Sequence, residues 1–464
     1  MISALDSKIL DRNCEALGIS IDTLMGHAGE ALYNVLIKEF EKKKIIIVCG
    51  TGNNGGDGLA CAKHFGKKAT VAMLLPPDMI KKEPARRRFE ALDRKAVMFS
   101  DVYLDQYDVV VDCVLGVGAR APLDAVHKDY IKQLKDFKGK IVSADVPTGL
   151  GMKTAVVPDI TVTFHDVKEG MTKENSGRII VADIGIPEEA AHVMGPGDML
   201  LYPLPKDDSH KGENGRLLVI GGGPYIGAPA MAAMASLRAG IDIVHIATPR
   251  RSFIPIASMT PNFIMHELSE DALCENDVKK LLDISRHMDA VLIGPGLGTA
   301  EGTMAAVREF VLRCGKPLVI DADGITAVST MSVMPSNTII TPHRKEFEKF
   351  SGFVANSCDL MEVSKKRNVT MLLKGVSDVI VHNDVKRTNR SGNAAMTVGG
   401  TGDVLSGIVA GLLSKHMHTF GAACLGAYIC GRAGDRAFDE FSYGLTATDV
   451  IEMIPKVLKD HLKG

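Results

Sequence analysis

The 464 residues exceed what one ordinary hydrophobic core organises, so two domains are expected. With 46% hydrophobic and 24% charged residues the chain reads as globular; a formal charge of -2, no Trp, 8 Tyr and 15 Phe exclude the basic, aromatic surface that a nucleic-acid partner needs. Nine scattered cysteines without a CxxC pair exclude a disulfide framework and a thiolate zinc site.

Residues 1–18 combine neither a basic nor a continuous apolar region, and no stretch reaches the ~18 uncharged apolar residues of a membrane span, so a cytoplasmic location without a membrane partner is expected. Across residues 20–40 the apolar positions Leu24, Ala28, Ala31, Leu32, Val35 and Leu36 recur at helical spacing, which predicts an amphipathic helix. KKKIIIVCG then reads as a buried parallel strand ending at Gly50. Further apolar runs at 70–75, 109–114 and 140–146 end in Gly, Pro or Asp and alternate with polar helical stretches. This alternation predicts a doubly wound parallel sheet, a three-layer α/β domain over residues 1–205.

The Gly-, Pro- and Asp-rich MGPGDMLLYPLPKDDS has little periodicity and reads as the interdomain connection. After it, RLLVIGG, IDIVHIATP, DAVLIGPG, PLVIDADG, NTIITPH, TMLLKG and DVIVHN predict a second, larger α/β domain over residues 206–464. No fixed-period repeat interrupts either series.

Two sets of residues carry chemistry. In the first domain Asn53, Asn54, Gly55, Gly56 and Asp57 lie where a strand gives way to a helix, and Asp112 and Asp145 stand at two other strand ends. The glycines suit close approach of backbone amides to an anion, the polar side chains suit a cation or sugar hydroxyl, and strand ends converge on the ligand crevice of such sheets. In the second domain Gly399-Gly400-Thr401-Gly402-Asp403 joins a glycine loop to an apolar helix. Amides at that terminus can steady a transferred phosphoryl group while a carboxylate takes the proton of the attacking hydroxyl.

Over residues 1–200 the segments GTGNNGGDG, DCVLGVGARAP, SADVPTG and TFHDVKEGM resemble, in order, the motifs of NAD(P)H-hydrate epimerases, a Rossmann-like fold. That resemblance implies that Asn53 to Asp57 and the run Gly116, Val117, Gly118, Ala119, Arg120, Ala121, Pro122 bind the hydrated nucleotide. It further implies that Asn54, Asp112 and Thr148 hold K+, that Asp145 acts on the substrate, and that Lys168 lies near it. Gly26-His27 stands where the family has Glu-Asn, and Thr148 where it has Ser.

Over residues 206–460 the segments KGENG, GPGLG, TPHRKEF, LKG and GGTGDVLSG resemble ADP/ATP-dependent NAD(P)H-hydrate dehydratases of the ribokinase-like superfamily. On that resemblance Lys374, Gly375, Val376, Ser377 and Gly402 contact ADP or ATP; Ala228, Gly296 and His343 line the hydrate site; Asp403 is the base; and Glu346 is linked to Mg2+. The implied activity is metabolite repair: the first domain interconverts the R and S hydrates, NADHX and NADPHX, and the second dehydrates the S form through a phosphorylated intermediate. A fused prokaryotic chain of this kind points to ADP as donor, and the family to a homo-oligomer. Two alternatives stay open, a hydroxymethylpyrimidine or hydroxyethylthiazole kinase, and an active dehydratase beside a noncatalytic binding module.

Overall fold

The structure is a computed structural model that describes residues 1–119, 121–353 and 357–462, with side chains throughout except those of Ser357 and Cys358. It divides into two compact units, Met1–Ala191 and His192–Gly464.

The first unit holds strands β1 (Ile45–Cys49), β2 (Ala69–Met73), β3 (Val97–Met98), β4 (Val109–Cys113), β5 (Lys140–Ala144), β6 (Ile160–Phe164) and β7 (Arg178–Ala182). All pair in parallel, in the order β3-β2-β1-β4-β5-β6-β7. β1, β4 and β6 are buried along their whole length, as apolar β-branched runs covered on both faces must be. The strand order reverses direction between β1 and β4, so the crevice beyond their carboxyl ends is where such a sheet accepts a ligand. The expected amphipathic helix spans Ile21–Phe40. A preceding helix, Ala4–Ala16, and the strands β3, β6 and β7 were not anticipated from the sequence.

The second unit holds β8 (Arg216–Ile220), β9 (Ile243–Thr248), β10 (Phe263–Glu267), β11 (Ala290–Ile293), β12 (Leu318–Ile320), β13 (Thr338–Ile340), β14 (Thr370–Leu373), β15 (Asp378–His382) and β16 (Val385–Asn389). Their order is β10-β9-β8-β11-β12-β13-β14-β15-β16, parallel up to β14 and antiparallel for the last two pairs. Its crevice lies where β8 meets β11. Helices Gly227–Arg238 and Thr401–Ser414 cross closely above it, because a Cβ on Gly407 would strike the carbonyl oxygen of Ala232 and one on Gly411 would lie 3.3 Å from Ser236 Cα. Small residues at these positions let the backbones approach and so fix where the first turn of the second helix points.

The stretch read as an interdomain connection belongs to the second unit. Pro196–Leu201 forms a 3-10 helix, Met194, Met199 and Tyr202 join the second unit's core, and Tyr202 Oη donates to Ala239 O at 2.9 Å. Glycine and proline gave the segment a loop-like composition, but Met199 to Tyr202 supply the apolar surface that docks it. The boundary expected near residue 205 thus falls inside the second unit, after the division at 191/192.

Candidate functional sites and family

In the first unit the polar run after β1 is already helix, Asn53–Phe65, instead of an extended glycine loop. Its glycines answer to packing as much as to ligand approach. A Cβ on Gly55 would run into Gly50 O, one on Gly56 would lie 2.5 Å from Met25 Sδ, and one on Gly58 2.6 Å from Cys113 Cβ. The helix is pressed onto β1 and β4, its N-terminus directed at the crevice, where its partial positive charge favours an anion.

Asn53 is exposed at that terminus and Asn54 is buried. Neither Asn54 Oδ1 nor Nδ2 has a hydrogen-bond partner, a costly state for a buried amide unless a ligand meets it. Asn54 faces the loop after β4, where a Cβ on Gly116 would lie 3.2 Å from Asn54 Cβ and 4.0 Å from Asp145 Oδ2. Gly116 therefore stands between the two predicted polar groups. Val117, Gly118, Ala119, Ala121 and Pro122 continue this partly exposed loop, and Arg120 lies outside the described residues.

Asp112, fully buried on β4, accepts from Thr148 Oγ1 at 2.7 Å, Thr148 N at 2.9 Å, Ser143 Oγ at 2.9 Å and Tyr130 Oη at 3.1 Å. Burial raises its pKa, and the four donors oppose that rise. Asp112 and Thr148 thus meet as expected, with Asp112 also anchoring the turn after β5.

Asp145 sits in that turn with a φ of 61°, a conformation few non-glycine residues adopt and one that aims the side chain along the crevice. Its Oδ1 accepts from Lys168 Nζ at 2.7 Å, and the buried ammonium also donates to Thr163 Oγ1, Phe164 O and Asp166 O. Just before the first helix, Ile2 bridges to Lys168, with Ile2 N donating to Val167 O and Glu169 N to Ile2 O, which ties that helix to this pair. Asp11 on that helix was not singled out in the sequence, yet burial and the neighbouring Asp145 raise its pKa to about 6. Burial likewise holds Asp57 well above its ordinary value, with Asp145 and Asp11 adding to it. Asp11, Asp57, Asp145 and Lys168 thus form one group of three carboxyls and a lysine, in which Asp11 is able to exchange a proton near neutral pH. His27, where the family pattern differs, donates Nδ1–H to Ile184 O at 2.8 Å and so ties its helix to the chain following β7.

In the second unit Gly400 has a φ of 97° and opens helix Thr401–Ser414, with Gly402 and Asp403 in its first turn. A Cβ at Gly400 would also lie 2.5 Å from Met231 Sδ, so glycine is required twice over. Burial first, then the charges of Asp321 and Asp323, raise the Asp403 pKa to about 7, with Lys374 opposing. A carboxyl poised there is able to take up or release a proton at neutral pH.

Lys374 follows β14, and its Nζ donates to Asp321 Oδ1 at 2.9 Å; a Cβ on Gly402 would lie 3.5 Å from that nitrogen. Burial works against the ammonium, but Asp321, Glu346 and Asp403 outweigh it and hold the pKa above its ordinary value. Gly375, Val376 and Ser377 form the exposed turn between β14 and β15, where Gly375 N donates to Asp378 Oδ1 at 3.1 Å. His343 caps helix Arg344–Ser351: its Nδ1 accepts from Glu346 N at 3.1 Å, while Glu346 Oε2 accepts from His343 N at 2.8 Å. Ala228 lies in the first turn of Gly227–Arg238. Gly296 is buried, with a φ of 70°, and a Cβ there would collide with Tyr225 O, so it locks the loop after β11 to the loop after β8. Asp321 and Asp323 were overlooked in the sequence, although PLVIDAD carries the same strand-end acid signal that had marked Asp112 and Asp145, and Thr341, which opens TPHRKEF, was given no role of its own.

These two sites fall within two matched family models. Residues 21–170 match the YjeF-related protein N-terminus and residues 217–456 match NAD(P)H-hydrate dehydratase. Over 98% of its length the chain is 38% identical to the bifunctional NAD(P)H-hydrate repair enzyme of Archaeoglobus fulgidus, covering 98% of that relative. The chain belongs to the bifunctional NAD(P)H-hydrate repair enzyme family. The member from Methanothermobacter thermautotrophicus is 36% identical over the whole of this chain and 96% of its own. Among solved structures, the ADP/ATP-dependent NAD(P)H-hydrate dehydratase of Bacillus subtilis, co-crystallised with ATP and Mg2+, is 26% identical with a TM-score of 0.52, covering 58% of this chain and 98% of its own. The ribokinase-like fold expected for the second domain is thereby shown, and the fusion of both modules in full-length relatives disfavours a stand-alone vitamin-precursor kinase. Among the described residues no helix is long and apolar enough to cross a membrane.

Proposed function

We propose that the chain restores hydrated NADH and NADPH, the first unit interconverting the R and S hydrates and the second dehydrating the S form at the expense of ADP or ATP. The observation that carries the reading is Asp403, a carboxyl with a pKa of about 7 on the first turn of a helix whose N-terminus lies against the Lys374 ammonium. Asp403 takes the proton of the ring hydroxyl as that oxygen attacks the terminal phosphorus of the nucleotide. The first-turn amides and Lys374 hold the phosphoryl oxygens as charge builds on them. Phosphate then leaves with the ring-nitrogen lone pair assisting, and loss of the neighbouring ring proton restores the reduced nicotinamide. Ala228, Gly296 and His343 line the hydrate site, and Gly375 to Ser377 meet the nucleotide. Mg2+ would neutralise phosphate charge; Glu346, whose Oε2 caps the helix and whose Oε1 lies 3.6 Å from His343 Nε2, would turn Oε1 from His343 to help hold it.

In the first unit the Asp145–Lys168 pair holds and passes the proton that epimerisation moves, with Asp11 and Asp57 backing it. Asn53 to Asp57 and the loop Gly116 to Pro122 bind the hydrate. The unpartnered amide oxygen of Asn54, with the oxygens of Asp112 and Thr148, would offer K+ the oxygen ligands it takes, and the ion would supply a fixed positive charge beside the substrate. ADP is the preferred donor, and the working form is a cytoplasmic homo-oligomer.

The test is recovery of reduced-nicotinamide absorbance from mixed hydrate epimers with Mg2+ and ADP or ATP. Full recovery is expected. Arrest at the S fraction, beyond spontaneous epimerisation, would leave a dehydratase beside a binding module, and no recovery would refute repair.

A further inference from the structure

Three neighbouring strands of the second sheet, β12, β13 and β14, each end in a polar residue: Asp321, Thr341 and Lys374. The side chains meet on one atom. Asp321 Oδ1 accepts from Lys374 Nζ at 2.9 Å and from Thr341 Oγ1 at 2.8 Å. Asp321 is 1% exposed and Thr341 0%, so neither hydroxyl nor carboxylate is there for solvation. The backbones around them are fixed as well: Asp321 N donates to Ile293 O, Thr341 N to Ile320 O and Lys374 N to Pro342 O. Gly294 must be glycine because a Cβ there would strike Asp321 O. A half-buried lysine held by a rigid, buried carboxylate sits against the first turn of the helix that carries Asp403.

We propose that Asp321 and Thr341 form a seat that holds the Lys374 ammonium beside Gly402 and away from Asp403 until a phosphoryl group of the nucleotide takes it. The inference rests on the dehydratase reading above and makes Asp321 and Thr341 positioning residues. Asp403 and Lys374 are the opposite charges of this site, and a direct pair between them would quench the base and occupy the ammonium. Asp321 prevents that by binding Lys374 itself. Its charge also acts on Asp403, as do Lys374 and Asp323, while Glu346 acts on Lys374. When phosphate arrives its oxygens replace Asp321 Oδ1 as acceptors, and no bond beyond hydrogen bonds changes in that exchange.

The experiment uses the full chain with Asp321→Asn, Thr341→Val and Thr341→Ser, following dehydration of the S hydrate and, as a fold control, the calorimetric melting transition of the second unit. Asp321→Asn is expected to lower kcat about 100-fold, the scale for a misplaced stabilising donor, with the KM of the hydrate unchanged. The acid limb of the pH profile, near 7 in the parent, is expected to move down by about one unit as a like charge is removed from Asp403. Thr341→Val should lower kcat about tenfold, and Thr341→Ser should restore it. A fall in kcat with the acid limb in place, or a Thr341→Ser variant no better than Thr341→Val, would overturn the seat. Carbon NMR titration of the Asp403 carboxyl in the parent and in Asp321→Asn reads the same shift without turnover. A chain that fails to dehydrate the hydrate but shows the shift refutes the repair reading and keeps the seat; an unmoved titration refutes the seat. Should Asp321→Asn fail to fold, the Thr341 pair decides the outcome.

Discussion

Replacing Asp403 by Asn should trade activity for stability, and only above acid pH. The carboxyl is raised from 3.8 to about 7 by burial, with Asp321 and Asp323 adding to it. A rise of about 3 units at 1.36 kcal/mol each gives ~4 kcal/mol as an upper bound, and ~2 kcal/mol once residual solvent screening is allowed for. Because the folded value lies above the unfolded one, the stability linked to the proton is present in full below about pH 4 and is lost as pH climbs through about 7. Asn never ionises, so it escapes that loss. With ~2–4 °C per kcal/mol for a domain of this size, Asp403→Asn should match the parent near pH 4 and melt ~4–8 °C higher at pH 8. Scanning calorimetry at half-unit steps of pH measures the difference, and absorbance at saturating hydrate should show dehydration abolished with epimerisation intact. A midpoint difference independent of pH would refute the buried-charge argument, and near-normal dehydration would remove Asp403 from the base role.

Other consequences follow from the first unit. Gly55→Ala forces a Cβ onto Gly50 O and should cost ~3 kcal/mol or more, so epimerisation should vanish while dehydration of supplied S hydrate persists; the urea midpoint of the first transition checks it. Lys168→Met leaves Asp145 without the ammonium that binds it at 2.7 Å, and a loss of ~3–5 kcal/mol with collapse of epimerisation is expected in the same assay. Asp11→Asn should remove an acid limb near pH 6 from the epimerisation profile, and a profile unchanged in shape would show that Asp11 takes no part in proton movement.

The sequence by itself determined the two α/β units and the position of most of their central strands, because strands covered on both faces must be continuous apolar runs and each run here stops at Gly, Pro or Asp. It also placed Asn54, Asp112, Asp145, Lys374 and Asp403 at strand or helix ends, where local chemistry is read directly. The short or partly exposed strands β3, β7, β10 and β16 escaped it, since edge positions carry little apolar signal. The segment 194–209 was misplaced because loop-like composition says nothing of the apolar surface that Met199 and Tyr202 bury. Only the tertiary structure decided that Gly55, Gly56 and Gly58 serve close packing, since the atoms they would strike are far away in sequence or hidden in the fold. Only it brought Asp11 within reach of Asp145, and Thr341 and Lys374 onto Asp321. Those pairings join residues 134, 20 and 53 positions apart, and the electrostatics that set the Asp403 proton exist only once burial has removed the water between them.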